Sequence, residues 1–434
     1  MTENYADIRD AKFISLSMIP VTEVANQFCQ LVADKLVSHE SRKRARKAKD
    51  QATFEYAIKL IMGDLLLARK ADNAGWVYRS VSKKNFHDSK IKGDTFNAIM
   101  KGLDALRYVQ TIKGANRTNY FATETSHKFN PGLATRFRAT DNLFDLWKGT
   151  GLEVSVLGKH FKTKPSLSKI GVKSTSSRFQ SQKINGRNLK FKQTDTTLAI
   201  KSRLFAVNSY LIEQNFDGME FYGLRRGFNE GDNPSFNWNL GGRLYGLGED
   251  SYQRMKKDQR LALKINGEAV VELDINASYL RILHGLRGFP LTRTKDIYAI
   301  EGVDRALVKA WVSCTFGYTK FHRAWPKQAV KEFNKIGATA WKDISYRNLQ
   351  PKVLEHFPVL KDWPDCGIRW SHLMYEEAEA MMSTMESLRS MGVVALPVHD
   401  SLIVPKSKGP LAMRIMRETF ESRLGVDFVV SGLR

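Results

Sequence analysis

Apolar residues recur at helical spacing through FEYAIKLIMGDLLLA (residues 54–68). They do so again through DTFNAIMKGLDALRYVQ, where Phe96, Ile99, Leu103 and Leu106 fall on one face. Around the second helix the pattern changes. GWVYRSVSKKNF reads as a short strand, and TIKGANRTNYFAT reads as two strands around a Gly-Ala-Asn-Arg turn. The first 150 residues are therefore expected to form a mostly helical domain. A helix followed by a basic hairpin is the order of a winged-helix nucleic-acid-binding unit, with Lys113 and Arg117 in the wing against phosphates. An ordinary α+β subdomain with a solvated basic hairpin has the same pattern.

Beyond residue 203 strands and helices alternate. EFYGLR and VVELDI read as strands and YEEAEAMMSTMESLRSM as a helix. GVVALPVHDSLIV reads as a strand–turn–strand hairpin with His399 and Asp400 at its tip, followed by the helical GPLAMRIMRETFESRL. The segment between these halves has a different composition. From Val154 to Gln193 the charged residues are all Lys or Arg, and Ser, Thr and Gln fill much of the rest. Such a stretch is expected to be a linker or arm over 151–203, either solubilising only or lying on backbone phosphates. The expected organisation is thus 1–150, 151–203 and 204–434.

A chain of 434 residues, 42% hydrophobic and 11% aromatic, can build two or three packed domains. Its net charge of +23 points to a polyanionic partner, nucleic acid or an anionic membrane surface. The opening MTENYADIRD is no secretory signal, and no uninterrupted apolar run approaches the ~18 residues of a membrane span. Nucleic acid is the expected partner and membrane is not. Three scattered cysteines fit neither a disulfide framework nor a structural zinc site, which suits a cytoplasmic protein with reduced thiols.

The chemistry begins at VELDINASYLRIL, where a buried strand runs into Asp274. An unpaired charge there costs several kcal/mol, so a cation is expected nearby. Asp400, at the end of another strand, supplies a second carboxylate. A fold that joins the two would make an oxygen site for two Mg²⁺ ions, with Mn²⁺ accepted by the same ligands. Between them, DRALVKAWVSCTFGYTK places Arg305, Lys309, Val312 and Phe316 on one helical face. Cations and then an aromatic suit a nucleoside triphosphate, although a solvated surface helix has the same spacing. GGRLYG sets Arg243 beside two glycines, where backbone and guanidinium can approach a nucleic-acid backbone.

In order and spacing these pieces resemble the palm and fingers of the family A nucleic-acid polymerase superfamily, which includes repair-type DNA polymerases and single-subunit phage RNA polymerases. GGRL resembles the Thr-Gly-Arg-Leu segment that touches primer–template. DINASYLRIL resembles motif A, with Asp274, Leu280 and Arg281 in register, and RALVK resembles the start of motif B. VHDSLIV resembles motif C, and YEEAEAMMSTMESLRSMG resembles the helix that packs before it. The likeness covers about 240–434. It implies an α/β (α+β) right-hand palm and fingers behind the N-terminal domain. It also implies DNA polymerisation from dNTPs on a primer–template with two Mg²⁺ ions, alongside accessory replication proteins. Asp274 and Asp400 would be the catalytic metal ligands. Arg305, Lys309, Phe316, Tyr318 and Tyr279 would bind the nucleotide, and Arg243, His399 and Arg281 the primer–template.

The departures carry information. Phe316-Gly317 stands one residue closer to Lys309 than the family's Tyr-Gly does, so Tyr318 is the alternative stacking residue. Motif C ends in Ser401, as in the phage RNA polymerases. Tyr279 stands where family DNA polymerases have Glu. A bulky ring there would clash with a 2′-hydroxyl and select deoxynucleotides; the bland reading is a core aromatic at a helix start. No carboxylate cluster for proofreading is evident before residue 240. RNA synthesis by a primase or small RNA polymerase, and a non-catalytic replication initiator, remain as alternatives. The combination of domains suggests, by association, replication of a plasmid, phage or mobile element.

Overall fold

The computed structural model describes residues 8, 11–42, 44–71, 75–82, 86, 91–114, 134–163, 165–179, 182–248, 251–291, 296–318, 320–363 and 365–432. The chain forms two compact units, Met1–Lys164 and Pro165–Arg434. Both mix helices and sheets. Among the described residues no helix is long and apolar enough to cross a membrane.

In the first unit, Thr22 caps the helix Glu23–His39 by accepting from the Ala25 amide. Ala25, Phe28, Cys29, Val32, Ala33 and Leu36 then make its buried stripe. A second helix, Ala48–Ala71, contains the apolar run expected to be helical. A four-stranded sheet orders Lys12–Phe13, Trp76–Tyr78, Arg136–Ala139 and Val109–Ile112. Phe28, Phe96, Phe137, Trp147 and Phe161 fill the core. The expected helix is present at Gly93–Ala105 and leads into Val109–Ile112. That strand pairs with Arg136–Ala139. Lys113 is exposed just past the strand. Arg117 and the rest of the expected wing lie outside the described residues.

The second unit holds two sheets that matter here. The strand Glu268–Ile275 pairs antiparallel with Ser401–Pro405, which pairs with Leu396–Val398. This is the expected hairpin, with His399 and Asp400 as its turn. The helices Ser278–Arg287, Trp370–Ser390 and Gly409–Leu424 pack around it. The other sheet orders Asn188–Leu189, Lys169–Lys173, Leu224–Phe228 and Gly241–Gly246.

The second sheet corrects the linker expectation for 151–203. The unit boundary falls at 164/165, and Lys169–Lys173 pairs parallel to Leu224–Phe228. KIGVK alternates, with Ile170 and Val172 buried in the core while the lysines face solvent. A helix, Asp195–Ile212, follows, with a capping box at Thr194 and Thr197. Charge density over forty residues masked a local two-residue period.

Candidate active site

Asp274 ends its strand directly opposite Ser401, the residue after Asp400. The Ser401 hydroxyl donates to Asp274 Oδ1 at 2.6 Å, and the Ile275 amide donates to the Asp400 carbonyl at 3.2 Å. Sheet register thus brings the two aspartates together from distant parts of the sequence. Two unusual backbone positions shape the place. His399, first in the hairpin turn, has φ +59°, and Ala277, between strand and helix, has φ +54°. Non-glycine residues held there carry strain of about 1–3 kcal/mol, which clusters at functional sites.

Asp400 is the electrostatic anomaly. Burial, then Glu377, then Asp274 push its carboxyl pKa from 3.8 up to about 7. A half-buried carboxylate facing two others is a place for a cation. The donors are hard oxygens, which fits Mg²⁺ with water and phosphate oxygens completing its shell. Among the described residues no group of three or more His, Cys, Asp or Glu side chains is arranged to hold a metal by itself.

Sequence reasoning missed Glu377. It is fully enclosed by the helix Trp370–Ser390 and its neighbours. Its Oε2 accepts from the Ser278 hydroxyl at 2.8 Å, and its Oε1 accepts from Arg243 Nε at 3.0 Å and Nη2 at 2.5 Å. Arg243 Nη2 also donates to the Tyr279 hydroxyl at 3.1 Å. Burial works against the Arg243 charge, but Glu377 and Tyr279 outweigh it and the pKa rises. Burial and Glu377 likewise raise that of Tyr279. A signal was present in the sequence: Leu373, Glu377, Met381, Thr384 and Leu388 share the apolar stripe of their helix, so Glu377 occupies a core position. Two residues on, Glu379 binds both Arg203 (2.8 Å) and the fully buried Arg226.

The remaining predicted residues divide. Tyr279 is half-buried, its ring edge-on to Phe316 at 6.1 Å between centroids, and the Asp400 charge reaches its hydroxyl. His399 is exposed at the turn, 6.5 Å from the Tyr245 ring; partial burial, then Arg243 and Arg260, lower its pKa. Lys309 is exposed on the helix Arg305–Phe316, about 10 Å along the axis from Phe316. Arg305 is exposed but pairs with Asp296 at 2.5 Å.

Two assignments are corrected. Phe316 is buried against Tyr279 and Trp363, so it supports the Tyr279 ring and offers no face to a base. Tyr318 keeps part of its ring exposed, edge-on to His322 at 4.1 Å. Arg281 is fully buried; its guanidinium donates to the carbonyls of Asn276 (2.9 Å) and Asp427 (2.8 Å). It therefore ties the Asp274 turn to the C-terminal segment and is not presented to primer or template.

No family model matches this sequence, and no curated protein matches it. Among solved structures, the POL domain of Pol1 from M. smegmatis, in complex with DNA primer-template and dNTP, aligns over 96% of this chain and 67% of that chain. The identity is 11% and the TM-score 0.30, too low for the likeness to carry an argument.

Proposed function

We propose that the chain is a template-directed DNA polymerase whose catalytic residues lie in Pro165–Arg434. The observation that carries this reading is the meeting of Asp274, near the end of its strand, with Asp400, in the turn of the hairpin paired to that strand, with Tyr279 and Arg243 hydrogen-bonded beside them. These are the residues that the sequence resemblance to family A polymerases implies.

Asp274 and Asp400 would hold Mg²⁺, which when bound activates a 3′-hydroxyl and neutralises the leaving pyrophosphate. Ser401 fixes Asp274 through its hydroxyl, leaving the other carboxylate oxygen to the ion. Lys309, exposed and without an acidic partner on its own helix, meets the triphosphate. Arg305 joins it by exchanging Asp296 for phosphate. Arg243 and Glu377 hold the Tyr279 ring in one place, where its bulk excludes a 2′-hydroxyl. His399 lies at the turn beside Asp400 and meets the primer terminus. The 3′-oxygen would form its bond to the α-phosphorus as the bond to pyrophosphate breaks, with no covalent enzyme intermediate, so the protein contributes positioning and electrostatics. The Met1–Lys164 unit, with Lys113 on its surface, contributes further nucleic-acid binding.

Primer extension with Mg²⁺, comparing dNTPs with NTPs and using Asp400→Ala as control, tests this. Extension with dNTPs that the substitution abolishes is expected. Extension with NTPs alone would assign RNA synthesis, consistent with Ser401. Tight DNA binding without extension would leave a non-catalytic initiator.

A further inference from the structure

We propose that the outward face of the sheet Asn188–Leu189, Lys169–Lys173, Leu224–Phe228 and Gly241–Gly246 is a track along which a nucleic-acid strand runs to the candidate active site. The catalytic reading supplies only the destination; binding to the face stands apart from it.

Sheet register arranges this face in rows. Lys169, Arg225 and Tyr245 stand side by side on three strands, and next to them Gly171, Gly227 and Arg243. Beyond them Lys173 sits opposite Asn188. The opposite face is core, with Ile170, Val172, Phe228 and Leu244 buried. Outward, Lys169 and Lys173 are exposed and Arg225, Arg243 and Tyr245 half-buried. None of the four strands contains an acidic residue.

Charge alone would fit many anions; the glycines narrow the choice. Arg225 stacks on Tyr245, its guanidinium carbon 4.6 Å from the ring centroid, and both lean over Gly227. A Cβ added at Gly171 would meet nothing within 4 Å. The face therefore has open backbone at Gly171, between Lys169 and Lys173, onto which a phosphate–sugar backbone can settle closely. An acidic peptide would find no apolar pocket there for its side chains. At the other end, Tyr245 faces His399 and Arg243 reaches Tyr279, so the rows lead to Asp400. Just past Lys173, Ser177–Phe179 and Gln182–Ile184 form an antiparallel hairpin, and the acid-free sequence continues through it to Gln193.

The test is fluorescence anisotropy of labelled primer–template DNA with the full chain, without dNTP or divalent metal. A Lys169→Ala/Lys173→Ala/Arg225→Ala variant is expected to raise Kd at least about tenfold and to flatten the salt slope by roughly 2–3. Gly171→Val places a strand-favouring side chain in open space, so thermal stability holds while Kd rises at least about threefold. Lys327→Ala/Lys331→Ala/Lys335→Ala, on an exposed lysine-bearing helix away from the sheet, serves as control and leaves Kd unchanged. Kd within twofold for both track variants overturns the proposal, as does an equal loss in the control. A loss in the charge variant with Gly171→Val unchanged overturns the close-approach track and leaves a diffuse charge effect. Extension failing in the wild type while these shifts hold would remove the polymerase reading and keep the track.

Discussion

Asp400→Asn should stabilise the metal-free protein while destroying its activity. The carboxyl is lifted from 3.8 to about 7 by burial, Glu377 and Asp274, so its ionised form is opposed in the folded state. At about 1.4 kcal/mol per tenfold, that rise is on the order of 4 kcal/mol above pH 7. Asp400 is part-exposed, and solvent screening reduces the expected figure to about 2 kcal/mol. The sign follows from proton counts. Well below pH 4 the carboxyl is protonated in both states and the substitution is neutral. Between pH 4 and 7 the folded protein keeps a proton that the unfolded chain has lost, so wild-type stability falls as pH rises. Above pH 7 the cost is complete. Thermal denaturation in EDTA should therefore show Asp400→Asn melting ~5 °C above wild type at pH 8, the gap closing toward pH 4. Mg²⁺ should reverse the order, stabilising wild type by about 2.7 kcal/mol at a hundredfold its Kd and leaving the variant unmoved. An Asn variant no more stable than wild type at pH 8 in EDTA would refute the argument.

Glu377→Ala leaves Arg243 partly buried without its carboxylate; urea denaturation should show a loss of about 3 kcal/mol. Glu377→Gln keeps acceptors for Ser278 and Arg243 and should lose about half as much, whereas equal losses would show that charge alone matters. Tyr279→Ala should lower the preference for dNTPs over NTPs in kcat/KM by at least about tenfold, roughly 1.4 kcal/mol of discrimination. An unchanged ratio would make Tyr279 a packing residue only.

Much of the second unit was legible because its elements obey one period each. VVELDI alternates, the helix carrying Glu377 follows the helical period, and the hairpin turn separates two apolar runs. The pairing of Asp274 with Asp400 was legible only through motif order, since register between distant strands leaves no local mark. Arg281 shows the limit. On a helix a conspicuous arginine reads the same whether it meets phosphate or donates to backbone carbonyls, and only the fold decides. Phe316 failed for a related reason: an aromatic at the right spacing was taken by the core. The 151–203 segment was misjudged because its charge was averaged over a window longer than a strand.

Single-turnover incorporation of one dNTP on a primed template, with Mg²⁺ and saturating protein, tests the central claim most directly. Wild type should incorporate, and Asp274→Asn should be slower by at least about 10³, some 4 kcal/mol of transition-state stabilisation, at unchanged primer–template affinity. A variant within tenfold of an active wild type would contradict the assignment of chemistry to the Asp274–Asp400 pair.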